Sequence, residues 1–157
     1  MIKICSGGQY NTAMIRFNFE TTFTLSSKNS YKNWIKTIIA SEHFKVGEIN
    51  YIFCDDEYLL KINQQFLKHD DFTDIITFDY GNEGVLSGDI YISIIRVREN
   101  ADIFAATFQD ELLRVLSHGI FHLCGYKDKT RSAALQMRKK EDWAINLFKQ
   151  IAQTNFN

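Results

Sequence analysis

The sequence predicts one domain in which about four strands and four or five helices pack in layers, an α/β-type arrangement. Two apolar patterns carry that expectation. From Met14 onward, Ile15, Phe17 and Phe19 alternate with Arg16, Asn18 and Glu20, the period of a half-buried strand. Between Asp110 and Leu123 the apolar residues fall instead at 112, 113, 115, 116, 120, 121 and 123, a helical spacing. Length sets a third limit. The 157 residues suffice for one core, and no low-complexity stretch or linker divides them.

The elements follow in order. Met1 to Ala13 is polar with a Gly7-Gly8 pair and has no clear period after Cys5, so residues 1–13 read as an N-terminal extension, and residues 14–157 as the domain. A strand starts at Met14. Ser30 to His43 reads as a helix with Trp34, Ile35, Ile38 and Ile39 on one side. Glu48 to Cys54 is a second strand, after which Asp55 or Asp56 can cap a helix through Leu59, Leu60, Ile62 and Phe66. Lys68 to Asp71 is a charged loop, Thr73 to Tyr80 a β-rich run, and Gly81 to Gly84 a turn. Asp89 to Ile95 is the next strand and Arg96 to Ala105 a short helix. Thr107, three residues before Asp110, resembles a capping box, and Gly125 suits a helix end. From Thr130 a last helix carries Ala134, Met137, Trp143, Leu147, Phe148 and Ile151 on its apolar side, with Arg131, Arg138, Lys139 and Lys140 opposite.

Composition narrows the class. Apolar residues make up 45%, which argues against disorder, and thirteen phenylalanines predict a Phe-rich core. Net charge is −1, so any nucleic-acid partner must be held by local clusters of basic residues. Three cysteines, Cys5, Cys54 and Cys124, form no disulfide pattern and fit a reduced cytoplasmic setting. No run of apolar residues is long enough to span a membrane.

The chemistry concentrates in Ser117 to Asp128, S-H-G-I-F-H-L-C-G-Y-K-D. His118 and His122, four apart on a helix, share one face and can reach one metal ion. If the chain turns back at Gly125, Asp128 can approach the same point. Two histidines and a carboxylate leave a coordination position open, as catalytic zinc sites do. His69, in the charged loop, is a rival third ligand. Gly119 occupies the place where the zincin helix H-E-x-x-H carries its general base, which disfavours a peptidase. A glycine within a helix costs roughly 1 kcal/mol against alanine, tolerable where a substrate or packed neighbour approaches the backbone. Cys124 lies about 200° around the helix from His122 and reads as a small buried apolar residue. Lys127 and Lys129 beside the motif, with Arg131, and with Arg96, Arg98 and Arg114 if they lie nearby, are candidates to hold phosphates. Tyr126 could stack a base, though packing is the commoner role.

The string from His118 to Asp128 resembles the signature of the YbeY family of bacterial endoribonucleases and rRNA maturation factors, H-G-x-L-H-L-x-G-Y-D-H. Asp128 stands where that signature has its third histidine, and Lys127 where it has aspartate. Asn63 to Phe66, Asp70 and Thr73 to Phe78 are similar to the family's N-x-x-Y-R-x-x-D-x-P-T-D-V-L-S-F, with Leu67 at the arginine and Phe72 at the proline. Ser87 to Ser93 resembles L-G-D-I-x-I-S. The resemblance implies an α+β fold: a mixed, roughly four-stranded sheet with the histidine helix packed against it. It also implies one Zn2+ per chain held by His118, His122 and Asp128, which act in catalysis through the metal. The implied activity is a zinc-dependent, single-strand-specific endoribonuclease acting in 16S rRNA 3′-end maturation and ribosome quality control, with rRNA and the small ribosomal subunit as partners. Two other readings stay open: a non-catalytic ribosome-associated zinc protein, which Leu67 in place of arginine keeps alive, and a peptidase-like metallohydrolase.

Overall fold

The computed structural model describes residues 2–3, 13–68 and 73–155. Its elements are β1 (Ile2–Lys3), β2 (Met14–Phe19), α1 (Lys28–Ser41), β3 (Lys45–Cys54), α2 (Asp56–Ile62) running into a π-helical turn (Asn63–Leu67), β4 (Ile75–Asp79), β5 (Val85–Ser93), α3 (Ile94–Ile103), α4 (Phe108–Leu123) and α5 (Arg131–Thr154). The strands form one sheet in the order β1-β4-β5-β3-β2. β2, β3 and β5 run parallel, and β4 pairs antiparallel with β5. The fold is α+β with a mixed sheet: four strands of five to ten residues and a two-residue β1 at one edge. Ile2 and Lys3 pair with Phe78 and Asp79 there. The expectation of an extension over residues 1–13 falls otherwise outside the described residues, apart from Ala13.

The alternation of β2 sets its two faces. Ile15, Phe17 and Phe19 pack toward the helices, while Arg16 faces out and pairs with Glu48 of β3. Ile49, Tyr51 and Phe53 of β3 and Leu86, Ile90 and Ile92 of β5 continue that inner face. α1, α4 and α5 cover it with Trp34, Ile35, Ile38, Leu112, Leu116, Ile120, Phe121, Ala144 and Phe148. The indole of Trp34 is fully buried and donates to the Ala144 carbonyl at 2.7 Å, so its one polar atom is satisfied. A smaller cluster, Cys54, Leu59, Ile76 and Phe78, lies on the other face of the sheet beneath α2. Leu67 packs against that cluster.

Caps set most boundaries. The side chains of Asp55, Ser93, Thr107 and Thr130 accept from the backbone N–H three residues on. Ser93 explains one departure from the sequence expectation. The β-branched run through Ile94 and Ile95 suggested strand, but the serine ends β5 and these two isoleucines start α3. β5 extends the other way to Val85, through Gly88, because β3 and β4 pair with it from both sides. α1 ends two residues early, where His43 adopts a φ of 64°. Trp143 is a correction of another kind. It is 41% exposed, and the buried face of α5 consists of Met137, Glu141, Ala144, Ile145 and Phe148.

α4 lies flush on the sheet. A Cβ at Gly119 would come within 2.9 Å of Ile90 Cγ2 and 3.1 Å of Ile75 Cδ1. A Cβ at Gly88 would sit 2.5 Å from the Phe78 carbonyl oxygen and 3.0 Å from Leu123 Cδ2. The neighbour that Gly119 admits is therefore the sheet. Gly119→Ala gains up to about 1 kcal/mol in helix propensity but overpacks against two isoleucines, at a cost of roughly 1–3 kcal/mol. We expect urea unfolding to show Gly119→Ala destabilised on balance and Gly88→Ala destabilised more, since its clash is with backbone. A Gly119→Ala protein as stable as the native one would show that α4 can lift off the sheet.

Candidate metal centre

α4 begins at the Thr107 cap, with Asp110 and Glu111 in its first turn, where carboxylates suit the positive end of the helix dipole. Its sheet-facing stripe runs through Leu112, Leu116, Gly119, Ile120 and Leu123. His118 and His122 share a neighbouring stripe, half-buried, with ring centroids 4.4 Å apart and planes at 84°. The helix then stops in a Schellman closure. Gly125 takes a φ of 102°, its N–H donates to the His122 carbonyl at 3.0 Å, and the Tyr126 N–H donates to the Phe121 carbonyl at 3.0 Å. The reversal brings Asp128 back over the helix. Its Oδ2 lies 3.4 Å from His118 Nε2 and 3.3 Å from His122 Nε2.

The other nitrogen of each ring is already committed. His118 Nδ1 lies 2.7 Å from Glu141 Oε2, and His122 Nδ1 lies 2.9 Å from the Tyr126 carbonyl oxygen. A carbonyl only accepts, so the Nδ1 of neutral His122 carries the proton and its Nε2 lone pair faces Asp128; Glu141 sets His118 the same way. Two lone pairs and a carboxylate oxygen thus converge, with no donor between them among the described residues. Such a set fits a cation. Its ligand atoms all lie within 4.8 Å of one another, so the three residues could hold a metal ion.

Each second contact is itself anchored. Glu141 is buried, 4% exposed, yet its Oε1 accepts from Arg114 Nη1 at 3.1 Å, and Arg114 also reaches Asp142 at 2.9 Å. Tyr126 turns its ring edge to Phe121, and its hydroxyl donates to Glu42 Oε2 at 2.8 Å. Lys140 pairs with Glu42 and lies over the Tyr126 ring. Tyr126 is therefore a clamp between α1, α5 and the loop. Burial is the largest influence on the His118 pKa and lowers it, but the hydrogen bond and charge of Glu141, with Asp128 and Asp74, outweigh it and raise the pKa above the ordinary value. Burial and the neighbouring His118 lower the pKa of His122. Burial likewise raises the thiol pKa of Cys124 to about 12, which keeps it protonated and apolar in character.

The cluster opens into a cleft of about 310 Å3 that also takes in Asp74, Asn100, Phe104, Glu111, Arg114, Arg138 and Glu141. Burial pushes the Glu111 pKa up despite Arg114 beside it. Of the basic residues named in the sequence as phosphate candidates, only Arg114 lines this cleft, and it is tied to Glu141 and Asp142. Lys127 borders a separate hollow beside Glu42 and Tyr126, and Lys129 is exposed. Arg98 lies over the Phe108 ring and Arg96 pairs with Asp56. His69, Asp70 and Phe72 lie outside the described residues. Asp89 accepts from Asn50 and Tyr80, and Thr73 donates to the Ile75 carbonyl, so both serve local structure. Glu141 was missed from the sequence. The signal was a carboxylate at 141 in the apolar stripe 137, 144, 148, where an unpaired charge would be costly.

Comparison with known proteins places the chain in a family. The family model described as endoribonuclease YbeY matches residues 16–149. The endoribonuclease YbeY of Flavobacterium psychrophilum is 56% identical over 135 residues, 86% of this chain and 96% of the relative. That of Flavobacterium johnsoniae is 55% identical over 137 residues, covering 86% and 97%. The solution structure of TM1509 from Thermotoga maritima superposes with a TM-score of 0.61 at 30% identity, over 90% of this chain and 93% of that one. These matches cover most of the chain, and the chain belongs to the YbeY endoribonuclease family.

Proposed function

We propose that this protein is a zinc-dependent endoribonuclease that cuts single-stranded RNA, acting in the cytoplasm on the 3′ end of 16S rRNA and in ribosome quality control, in contact with the small subunit. Family membership supports the nuclease activity. The metal assignment is carried by one observation: two Nε2 atoms and Asp128 Oδ2 converge while both Nδ1 atoms are held elsewhere. His118, His122 and Asp128 would hold one Zn2+ per chain. A zinc ion so held supplies Lewis acidity to a phosphodiester oxygen and acidifies water near it.

The protein's own groups do the rest. Glu141 and the Tyr126 carbonyl keep both imidazoles in the ligating tautomer, and Arg114 neutralises Glu141. Four carboxyl groups, Asp74, Glu111, Asp128 and Glu141, face two guanidinium groups in the cleft. Without a cation such a wall repels a phosphodiester, so RNA entry depends on the metal. Lys127 and Lys129, exposed on either side of Asp128, supply positive charge to phosphates outside the cleft. A base at position 119 could not act, because that position points into the sheet. This weighs against a peptidase. A structural zinc site would normally be closed by a fourth protein ligand. Among the described residues the cluster has three, and it opens into the cleft.

Elemental analysis should find about one zinc per native chain, and much less in His118→Ala and Asp128→Ala. The native protein should cleave single-stranded RNA and lose that activity with a chelator, while an intact duplex survives. Zinc retained in Asp128→Ala would remove that residue from the metal shell, and zinc-loaded protein inert on RNA would return the non-catalytic reading.

Protons compete with the metal for the same nitrogens. His118 binds its proton more tightly than an ordinary imidazole, so zinc affinity should begin to fall as pH drops through a value above that of free histidine, with a slope of one proton. The second proton should enter only below the ordinary value, where His122 titrates, and steepen the slope. Glu141→Gln removes the main group that raises the His118 pKa, so the first break should move to lower pH. Competition against a chromophoric chelator from about pH 5 to about pH 8 reads both breaks. A first break unmoved by Glu141→Gln would show that Glu141 does not govern His118.

A further inference from the structure

We propose that the mouth of the cleft is a nucleotide subsite in which Phe104 stacks one unpaired base and Arg138 holds the adjoining phosphate. This rests on the RNA reading above and adds the residues that grip the strand beside the cut.

Phe104 follows the last turn of α3 and is 61% exposed. Its position is fixed. Its N–H donates to the Asn100 carbonyl at 2.9 Å, Ala105 turns the chain with a φ of 51°, and the Ala106 N–H returns to the Ala101 carbonyl at 2.9 Å. Short backbone bonds on both sides fix the Cα from which the ring projects. Among the described residues no other ring and no cation stacks on it. The ring lines the same cleft as His118 and Asp128. A single exposed apolar side chain is ordinary on a protein surface. One carried by an anchored backbone on the wall of the proposed reactive cleft has a use, because an aromatic face binds any base that is free to unstack from its neighbours.

Arg138 is the complementary group. Its side chain is 51% exposed, and its one ion pair among the described residues, with Glu141 Oε1, is 3.6 Å long. That separation is longer than a hydrogen bond, so the Arg138 fork has donors to offer a phosphate. Arg114 is less suited, being hydrogen-bonded to two carboxylates and only 21% exposed. The volume of about 310 Å3 is at the small end of ligand sites, which favours one nucleotide over a helix. A paired base hides its face in the stack, so this subsite discriminates against duplex RNA by itself.

The test uses the zinc-loaded protein and a short single-stranded RNA carrying 2-aminopurine next to the cleaved bond. Binding is read by fluorescence quenching, and cleavage by KM and kcat separately. Phe104→Ala should raise KM about 10-fold, with the loss on KM rather than kcat, and abolish the quenching; Phe104→Trp should restore both. Arg138→Gln should weaken binding several-fold and reduce the slope of log Kd against log salt by about 0.7, one phosphate contact on a single strand. Ile103→Ala, beside Phe104 and outside the cleft, is the control, and zinc content should stay at one per chain in every variant. Native cleavage with unchanged KM and quenching in Phe104→Ala overturns the subsite and leaves the nuclease reading standing. An equal loss in Ile103→Ala also overturns it, by showing a general effect of the turn. A native protein that neither binds nor cuts the RNA overturns the nuclease reading and the subsite with it.

Discussion

The contact of α4 with the sheet governs the rest. Gly119 and Gly88 leave no room for a Cβ on either surface, so helix and strands meet backbone to side chain without a gap. The helix gives up about 1 kcal/mol of propensity at Gly119. In return Leu112, Leu116, Ile120, Phe121 and Leu123 are buried, each such side chain contributing on the order of 1.5–3 kcal/mol. Once that stripe is seated, the rotation of α4 about its axis is fixed. His118 and His122 must then lie on the stripe facing α5 and the loop, whatever happens around them.

A second set of contacts converts that placement into a geometry. The two imidazoles could still rotate about their side-chain bonds, and each is stopped by a hydrogen bond at Nδ1. His118 is stopped by a carboxylate from α5, and His122 by the carbonyl of the residue that closes its own helix. Neither stop stands alone. Glu141 is a buried charge, costly to desolvate, that survives because Arg114 and His118 satisfy both its oxygens. Tyr126 holds its carbonyl in place because its hydroxyl and ring are gripped by Glu42 and Lys140. The candidate metal site is thus the joint at which α1, α4 and α5 meet, and its precision comes from the elements behind it.

Much of this was legible in the sequence, for physical reasons that can be named. The period of β2, the stripe of α4, the Thr107 and Thr130 caps and the Gly125 reversal are local chemistry, and local chemistry shows in short windows. The H-x3-H pair and Asp128 were legible because one helix and one tight turn bring them together. Glu141 and Phe104 were harder, since their roles depend on which elements meet. A carboxylate on α5 becomes a histidine partner only when α5 crosses α4, and a phenylalanine becomes a platform only when its turn borders the cleft. The buried face of α5 was misread at Trp143 for a related reason. Hydrophobicity favoured the tryptophan, but the face was set by where α1 and α4 press, and that selected Ala144, Ile145 and the charged Glu141 instead.

The balance of charge in the cleft connects the fold to the proposed chemistry. A neutral histidine in place of Asp128 would leave three carboxyl groups facing two guanidinium groups; with aspartate there are four. Two of the four, Glu141 and Glu111, are buried, where the effective dielectric is low and their repulsion of a phosphate is strong. Arg114 offsets them and is held by both Glu141 and Asp142, so the more loosely held positive charge within the cleft is Arg138. A divalent cation held by His118, His122 and Asp128 would cancel the remaining excess at the point where a phosphodiester must come. Metal binding and substrate binding would then be one coupled equilibrium: the cation creates the site for the anion, and the anion in turn holds the cation more tightly. Asp128 as an anionic third ligand would strengthen that coupling, because it would make the metal-free cleft less hospitable to RNA than a third histidine would.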